Sequence, residues 1–232
     1  MCYNPAVSLF TAIVEFALSG YMLLKYRLAS TRYFFAAFLV VLGAYQFTEF
    51  MLCKTNSPEL WAAVGFVVYT FLPALGLHGT IRCLGRKFNP LWLYVFPVFF
   101  VLFSLSYPSF ILVSQCQTIF VTVRNSLFQI GGLQQTLLFA LYSLYYAGFI
   151  FLSCILCLVD YKKEENINRK KLLLIFPLSV VLMSFPTLVL IVIFPALDLR
   201  TPSVLCHFAL LLVLTGFAGV RLEEKYVKEG KI

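Results

Sequence analysis

Charge is scarce in this chain. Asp, Glu, Lys and Arg make up 12% of its 232 residues, 61% are hydrophobic and mean hydropathy is +0.91, whereas a soluble domain carries about twice that charge. The chain therefore reads as an integral membrane protein. Histidine is scarcer still. His78 and His207 are the only two, too few for the multi-histidine zinc hydrolases of membranes. There is no Gly-rich phosphate loop, no Walker motif, no His-x-x-x-His pair and no Ser/His/Asp set, so P-loop phosphoryl transfer and triad hydrolysis lack their residues. The last apolar stretch holds no lysine, which excludes a retinal Schiff base there. An enzyme is the less favoured class.

What is abundant is long apolar sequence. Seven segments run about Pro5 to Leu24, Tyr33 to Cys53, Leu60 to Ile81, Pro90 to Ser106, Gln134 to Val159, Leu172 to Phe194 and Val204 to Val220. Each is near the ~20 residues that cross ~30 Å of hydrocarbon. The expected fold is one all-α domain over residues 1–232, built of seven transmembrane helices. Of the 18 basic residues, only Lys54, Arg124 and Arg200 lie in the loops after segments two, four and six. Under the positive-inside rule this places the N-terminus outside and the C-terminus in the cytoplasm of a multi-pass plasma-membrane protein. The net charge of +8 is thus topological, with a secondary attraction to anionic lipid, and gives no reason to expect nucleic acid. The first segment has no basic residue before it and a cluster after it, the pattern of an uncleaved N-out helix.

Polar residues inside these segments are patterned. Asn4, Ser8, Thr11, Glu15 and Ser19 recur at helical spacing and form one stripe on segment one. Gln46, Glu49 and Cys53 share a face of segment two. A carboxylate at membrane depth costs about 2.5–3.5 kcal/mol on insertion scales unless it faces protein or water, so both stripes should point into the bundle. Glu15, Gln46, Glu49 and His207 are accordingly the candidate ligand-binding residues, in an outer-facing pocket between segments one, two and seven. His78 reads as a hydrogen-bonded helix-end residue. Pro73, Pro177 and Pro186 predict kinks.

The one long connection, Tyr107 to Leu133, carries two β-branched runs, Phe110 to Val113 and Thr118 to Val123, which predict an outer β-hairpin or lid. Disulfides persist only on the outer side. The candidates there are Cys53, Cys116, Cys2 and Cys206; a Cys53–Cys116 bridge would tie the lid to segment two, with the other two as rival partners. Cys2, Glu49, Cys53, Cys116 and His207 also offer the thiolates, carboxylate and imidazole that suit zinc or copper. Only Glu49 and Cys53 stand at a local ligand spacing, so a disulfide beside a polar pocket is the stronger expectation, and no cofactor is expected. Cys154 and Cys157 have redox-motif spacing but face the reducing side, where small buried thiols usually just pack.

From Arg32 to Lys87, the runs FFAAFLVVLGAYQFTEFMLCKTNSPELW and VVYTFLPALGLHGTIRCLGRK resemble the N-terminal seven-helix sensor region that precedes bacterial and archaeal histidine kinases. Glu49 before a short polar loop, Leu60-Trp61 opening the third helix and Pro73 before a His-bearing inner turn carry the resemblance. The opening Met1-Cys2-Tyr3-Asn4-Pro5, with Glu49 and Cys53, is also similar to a group of bacterial membrane proteins of unassigned activity that begin Met-Cys-Trp-Ser. The expectation is a seven-helix, receptor-like sensor that binds a small ligand and signals to a separate cytoplasmic partner through the basic loop Asp160 to Lys171 and the tail. The alternatives are a small transporter or channel using Glu15 and Glu49, and an outer-face thiol or metal oxidoreductase.

Overall fold

The computed structural model describes residues 6–107, 109–116, 121–128, 133–193 and 209–230, with 121, 122, 128, 133–135, 183–193 and 209–212 described by backbone alone. In chain order the elements are α1 (Ala6–Lys25), α2 (Arg32–Lys54), α3 (Pro58–Thr70), α4 (Leu72–Cys83), α5 (Leu91–Ser106), β1 (Ile111–Cys116), β2 (Val121–Asn125), a short 3-10 turn (Ser126–Phe128), α6 (Leu133–Lys163), α7 (Ile167–Ile193) and α8 (Ala209–Lys228). Among the described residues four stretches are long and apolar enough to cross a membrane: Ala6–Lys25, Arg32–Lys54, Pro58–Cys83 and Thr136–Lys163.

The usual distribution of polarity is inverted. On α1 the buried positions are Ser8, Thr11, Ala12, Glu15, Ser19 and Met22, while Phe10 is 65% and Leu24 73% exposed. Leu91, Trp92, Leu105, Leu144 and Phe151 are likewise largely exposed. Water would penalise that surface; a hydrocarbon solvent would not.

α3 and α4 are two halves of one apolar stretch, broken at Phe71. Pro73 has no N–H to give the preceding turn. At this break the Tyr145 hydroxyl of α6 donates to the Thr70 carbonyl at 2.6 Å, and the Thr70 and Tyr142 hydroxyls lie 3.3 Å apart. A neighbouring helix thus supplies hydrogen bonds where the ladder is interrupted. Around this point Phe66, Phe100, Phe110, Leu127, Tyr142 and Tyr145 form an aromatic-rich core.

β1 and β2 pair antiparallel, with Ser114 opposite Val123 and Cys116 opposite Val121, and a bulge between Ile111 and Val113. β1 packs on α2 and α3, and Ile111 and Val123 rest on Leu52 and Ala62. At the opposite end, α4 stops at Gly85, whose φ of +66° places it in the left-handed region that glycine adopts without steric cost. There the Arg86 amide reaches back to the Ile81 carbonyl and the Gly85 amide to that of Arg82, closing the helix end. Arg86 then pairs with Asp160 of α6 at 2.7 Å. Asn166 begins α7 by accepting from the amides of Asn168 and Arg169.

Candidate functional site

Two polar regions lie at opposite ends of the α1–α2 pair. At the end where the chain leaves α2, the Ser8 hydroxyl donates to Glu49 Oε2 at 3.4 Å; near the other end of α1, the Ser19 hydroxyl donates to the Ala36 carbonyl at 3.0 Å. The two stripes read from the sequence therefore face each other. Glu15, Gln46 and Glu49 are 0%, 3% and 3% exposed, so they are packed within a helix interface. Neither Glu15 carboxyl oxygen has a hydrogen-bond partner among the described residues. His207 and Asn4 lie outside the described residues, as do Cys2 and Cys206.

Cys53, at the end of α2, is joined to Cys116, at the end of β1. The bridge fixes the hairpin over this end of the α2–α3 pair. Among the described residues no group of three or more His, Cys, Asp or Glu is placed to hold a metal, and both sulfurs of this pair are committed to each other. Cys83, Cys154 and Cys157 are not in disulfides. His78 Nδ1 lies 3.0 Å from the Tyr94 hydroxyl, with Phe34 edge-on to its ring, a bonded position on the C-terminal half of α4.

The opposite end holds a cavity of about 360 Å³ between α2, α4, α7 and α8, with Cys157 of α6 at its side. Phe34, Phe38, Leu75, Leu172 and Phe176 give it apolar walls, while Ser30, Thr31, Thr80, Cys83, Arg169 and Glu223 also line it. At Gly76, which lines it, an added Cβ would make ordinary van der Waals contact with Phe176 and Phe38, at 3.7 and 4.0 Å. A volume in the range of small-molecule sites, apolar walls and a few polar groups are the features of a ligand pocket.

One side of this cavity is held by two adjacent carboxylates of α8. Glu223 accepts from the Ser30 amide at 3.0 Å, the Ser30 hydroxyl at 2.7 Å, the Thr31 amide at 3.2 Å and the Thr31 hydroxyl. Glu224 accepts from the Leu28 amide at 2.7 Å and the Ala29 amide at 2.9 Å, and meets Lys228 at 3.1 Å. Four successive backbone amides of the α1–α2 turn thus converge on two carboxylates. These amides precede the first turn of α2, where negative charge is favoured. Thr31 makes no side-chain cap of its own; its hydroxyl donates to Glu223 instead.

Sequence reasoning passed over both the cavity and this carboxylate clamp. The Leu-Ala-Ser-Thr turn and the Glu-Glu pair are ordinary alone, and only their meeting across the fold gives them a role. The one available signal was an adjacent acidic pair, Glu223-Glu224, in a tail that also carries Arg221, Lys225, Lys228 and Lys231. Comparison with protein-family models, with curated proteins and with solved structures finds no match to this chain.

Proposed function

We propose that this is a receptor-like, multi-pass plasma-membrane protein of seven helices, N-terminus outside, which binds a small ligand and signals to a separate cytoplasmic partner. The ligand site is the 360 Å³ cavity, and the observation that carries the reading is its lining. Arg169 stands at the start of α7 within the basic stretch Asp160 to Lys171, Glu223 and Val227 belong to the tail end of α8, and Ser30 and Thr31 belong to the clamped turn. A ligand there touches three of the four segments that would face the cytoplasm under the charge rule. Its differential contact with two arrangements of the clamp is what a signal requires. The packed interface of Glu15, Gln46 and Glu49 serves in this reading as the polar seam that registers α1 on α2.

The test is mass spectrometry of the intact protein freshly extracted from its membrane, compared with Gly76→Leu, which fills the cavity. Wild type should release a bound small molecule that the variant lacks. Identical profiles for the two would overturn the assignment of the cavity as the site.

A second reading, transport of protons or cations by intramembrane carboxylates, is favoured by the full burial of Glu15 without a hydrogen-bond partner among the described residues. It requires Glu15- or Glu49-dependent flux in proteoliposomes. The receptor reading expects none.

A further inference from the structure

The cavity has a polar rim and an apolar interior, and its charges are not equivalent. Glu223 lines it, but that carboxylate already accepts four hydrogen bonds, from the amides and hydroxyls of Ser30 and Thr31. Arg169 is different. Its Nε meets Glu164 at 3.2 Å while its side chain stays 48% exposed, and its two terminal amino groups donate to no described residue. An arginine fork with two unused donors matches the two oxygens of a carboxylate and holds them with charge-assisted bonds. Inward from this rim the walls are Phe34, Phe38, Leu75, Leu172 and Phe176. A volume of about 360 Å³ suits one alkyl chain and not the two of a diacyl lipid. The neighbouring surface is apolar too, with Leu178, Val181 and Leu182 of α7 at 51%, 59% and 39% exposure.

From these features we infer that the cavity takes a single-chain acidic amphiphile, with its carboxylate on Arg169 at the rim and its alkyl chain between α2, α4 and α7. This rests on the cavity being the ligand site, as proposed above, and adds the chemical class of what fills it. The charge at the rim selects the head, and the aromatic walls select the tail. The amphiphile can arrive from the bilayer leaflet on that side or from the cytoplasm; the recognition chemistry is the same.

The experiment uses the full-length protein in lipid nanodiscs and a fluorescent probe, 11-(dansylamino)undecanoic acid, displaced in turn by oleate, oleyl alcohol and octadecyltrimethylammonium. Oleate should displace the probe at the lowest concentration. Arg169→Gln should weaken oleate by about tenfold or more, the effect of losing a charge-assisted hydrogen bond, with little change for the alcohol. Gly76→Leu should abolish saturable binding of all three, which separates the cavity from dissolution of probe in lipid. Oleate and oleyl alcohol binding equally, both indifferent to Arg169→Gln, would overturn the acidic class while leaving the cavity a binding site. Better displacement by the ammonium compound would do the same. No saturable probe binding, or binding unchanged by Gly76→Leu, would overturn both readings. Repeating the titration with oleate supplied in the vesicle lipid or on albumin distinguishes the two routes of entry.

Discussion

Glu224 accepts from an amide 196 residues earlier in the chain, so a tail residue determines how the first turn of the protein is held. Burial pushes the Glu224 carboxyl up, but the Lys228 ammonium and the amides of Leu28 and Ala29 outweigh it and hold it below the usual 4.5. A carboxyl that is lower in the folded than in the unfolded state stabilises above its unfolded value, and the contribution disappears as pH falls through the folded value. The Glu224 contacts are therefore intact at pH 7 and weaken below about pH 4.5. In thermal unfolding of the solubilised protein, the deficit of Glu224→Gln at pH 7 should shrink on acidification below that value; an equal deficit at pH 3 would contradict the assignment. Glu223→Ala, which removes the acceptor of four bonds, should cost about 2 kcal/mol, the scale of hydrogen bonds to a charged group.

At the scale of elements, the hairpin and the helix contacts make separate predictions. The Cys53–Cys116 bridge closes a sequence separation of 63 residues. Its loss restricts the unfolded chain less, at about 2–4 kcal/mol, so Cys116→Ser should lower the melting temperature. Non-reducing peptide mapping of the wild type should recover the two cysteines on one linked pair of peptides. α8 approaches α2 through Gly216, where an added Cβ would come within 2.6 Å of the Phe35 ring. Small residues permit such approaches between helices. Gly216→Val should then destabilise by about 1–3 kcal/mol through overpacking, read as a lower melting temperature with the helical circular-dichroism signal retained.

The elements differ in how far the sequence disclosed them. Apolar runs placed the first five expected segments to within a few residues, because length and hydropathy are local properties, but the third is split at Phe71, α7 starts at Ile167 rather than Leu172 and α8 runs on to Lys228 rather than ending at Val220. The first strand was shifted: the expected run Phe110–Val113 lies beside an observed Ile111–Cys116. Ser114 and Gln115, polar residues between the two expected runs, pair through their backbones with Val123 and Thr122, and backbone pairing does not depend on side-chain polarity. The stripe on α1 was legible because burial of Ser8, Thr11, Glu15 and Ser19 follows helical period. The clamp was not, because it joins residues almost a chain length apart. The cavity was not either, since a void between four helices leaves no trace in the periodicity of any one.

For the whole molecule, the proposed orientation makes all site assignments testable together. A cysteine introduced at Asn56 or Asp198 should react with a membrane-impermeant maleimide added to intact cells, and one at Asn166 should not. The reverse pattern would place the clamp and cavity on the outer side. The central claim is that cavity and clamp form one unit through which occupancy is felt at the cytoplasmic face. Amide hydrogen exchange of the full-length protein in nanodiscs tests this directly, because local opening is read residue by residue. Gly76→Leu, which places the protein's own side chain in the cavity, serves as the occupied form and is compared with wild type freed of its bound molecule before reconstitution. The account predicts that exchange at Leu28 to Thr31 and at residues 219–227 changes together, with the β1–β2 hairpin unaffected. A change confined to α4, with both clamp segments exchanging as in wild type, would contradict it.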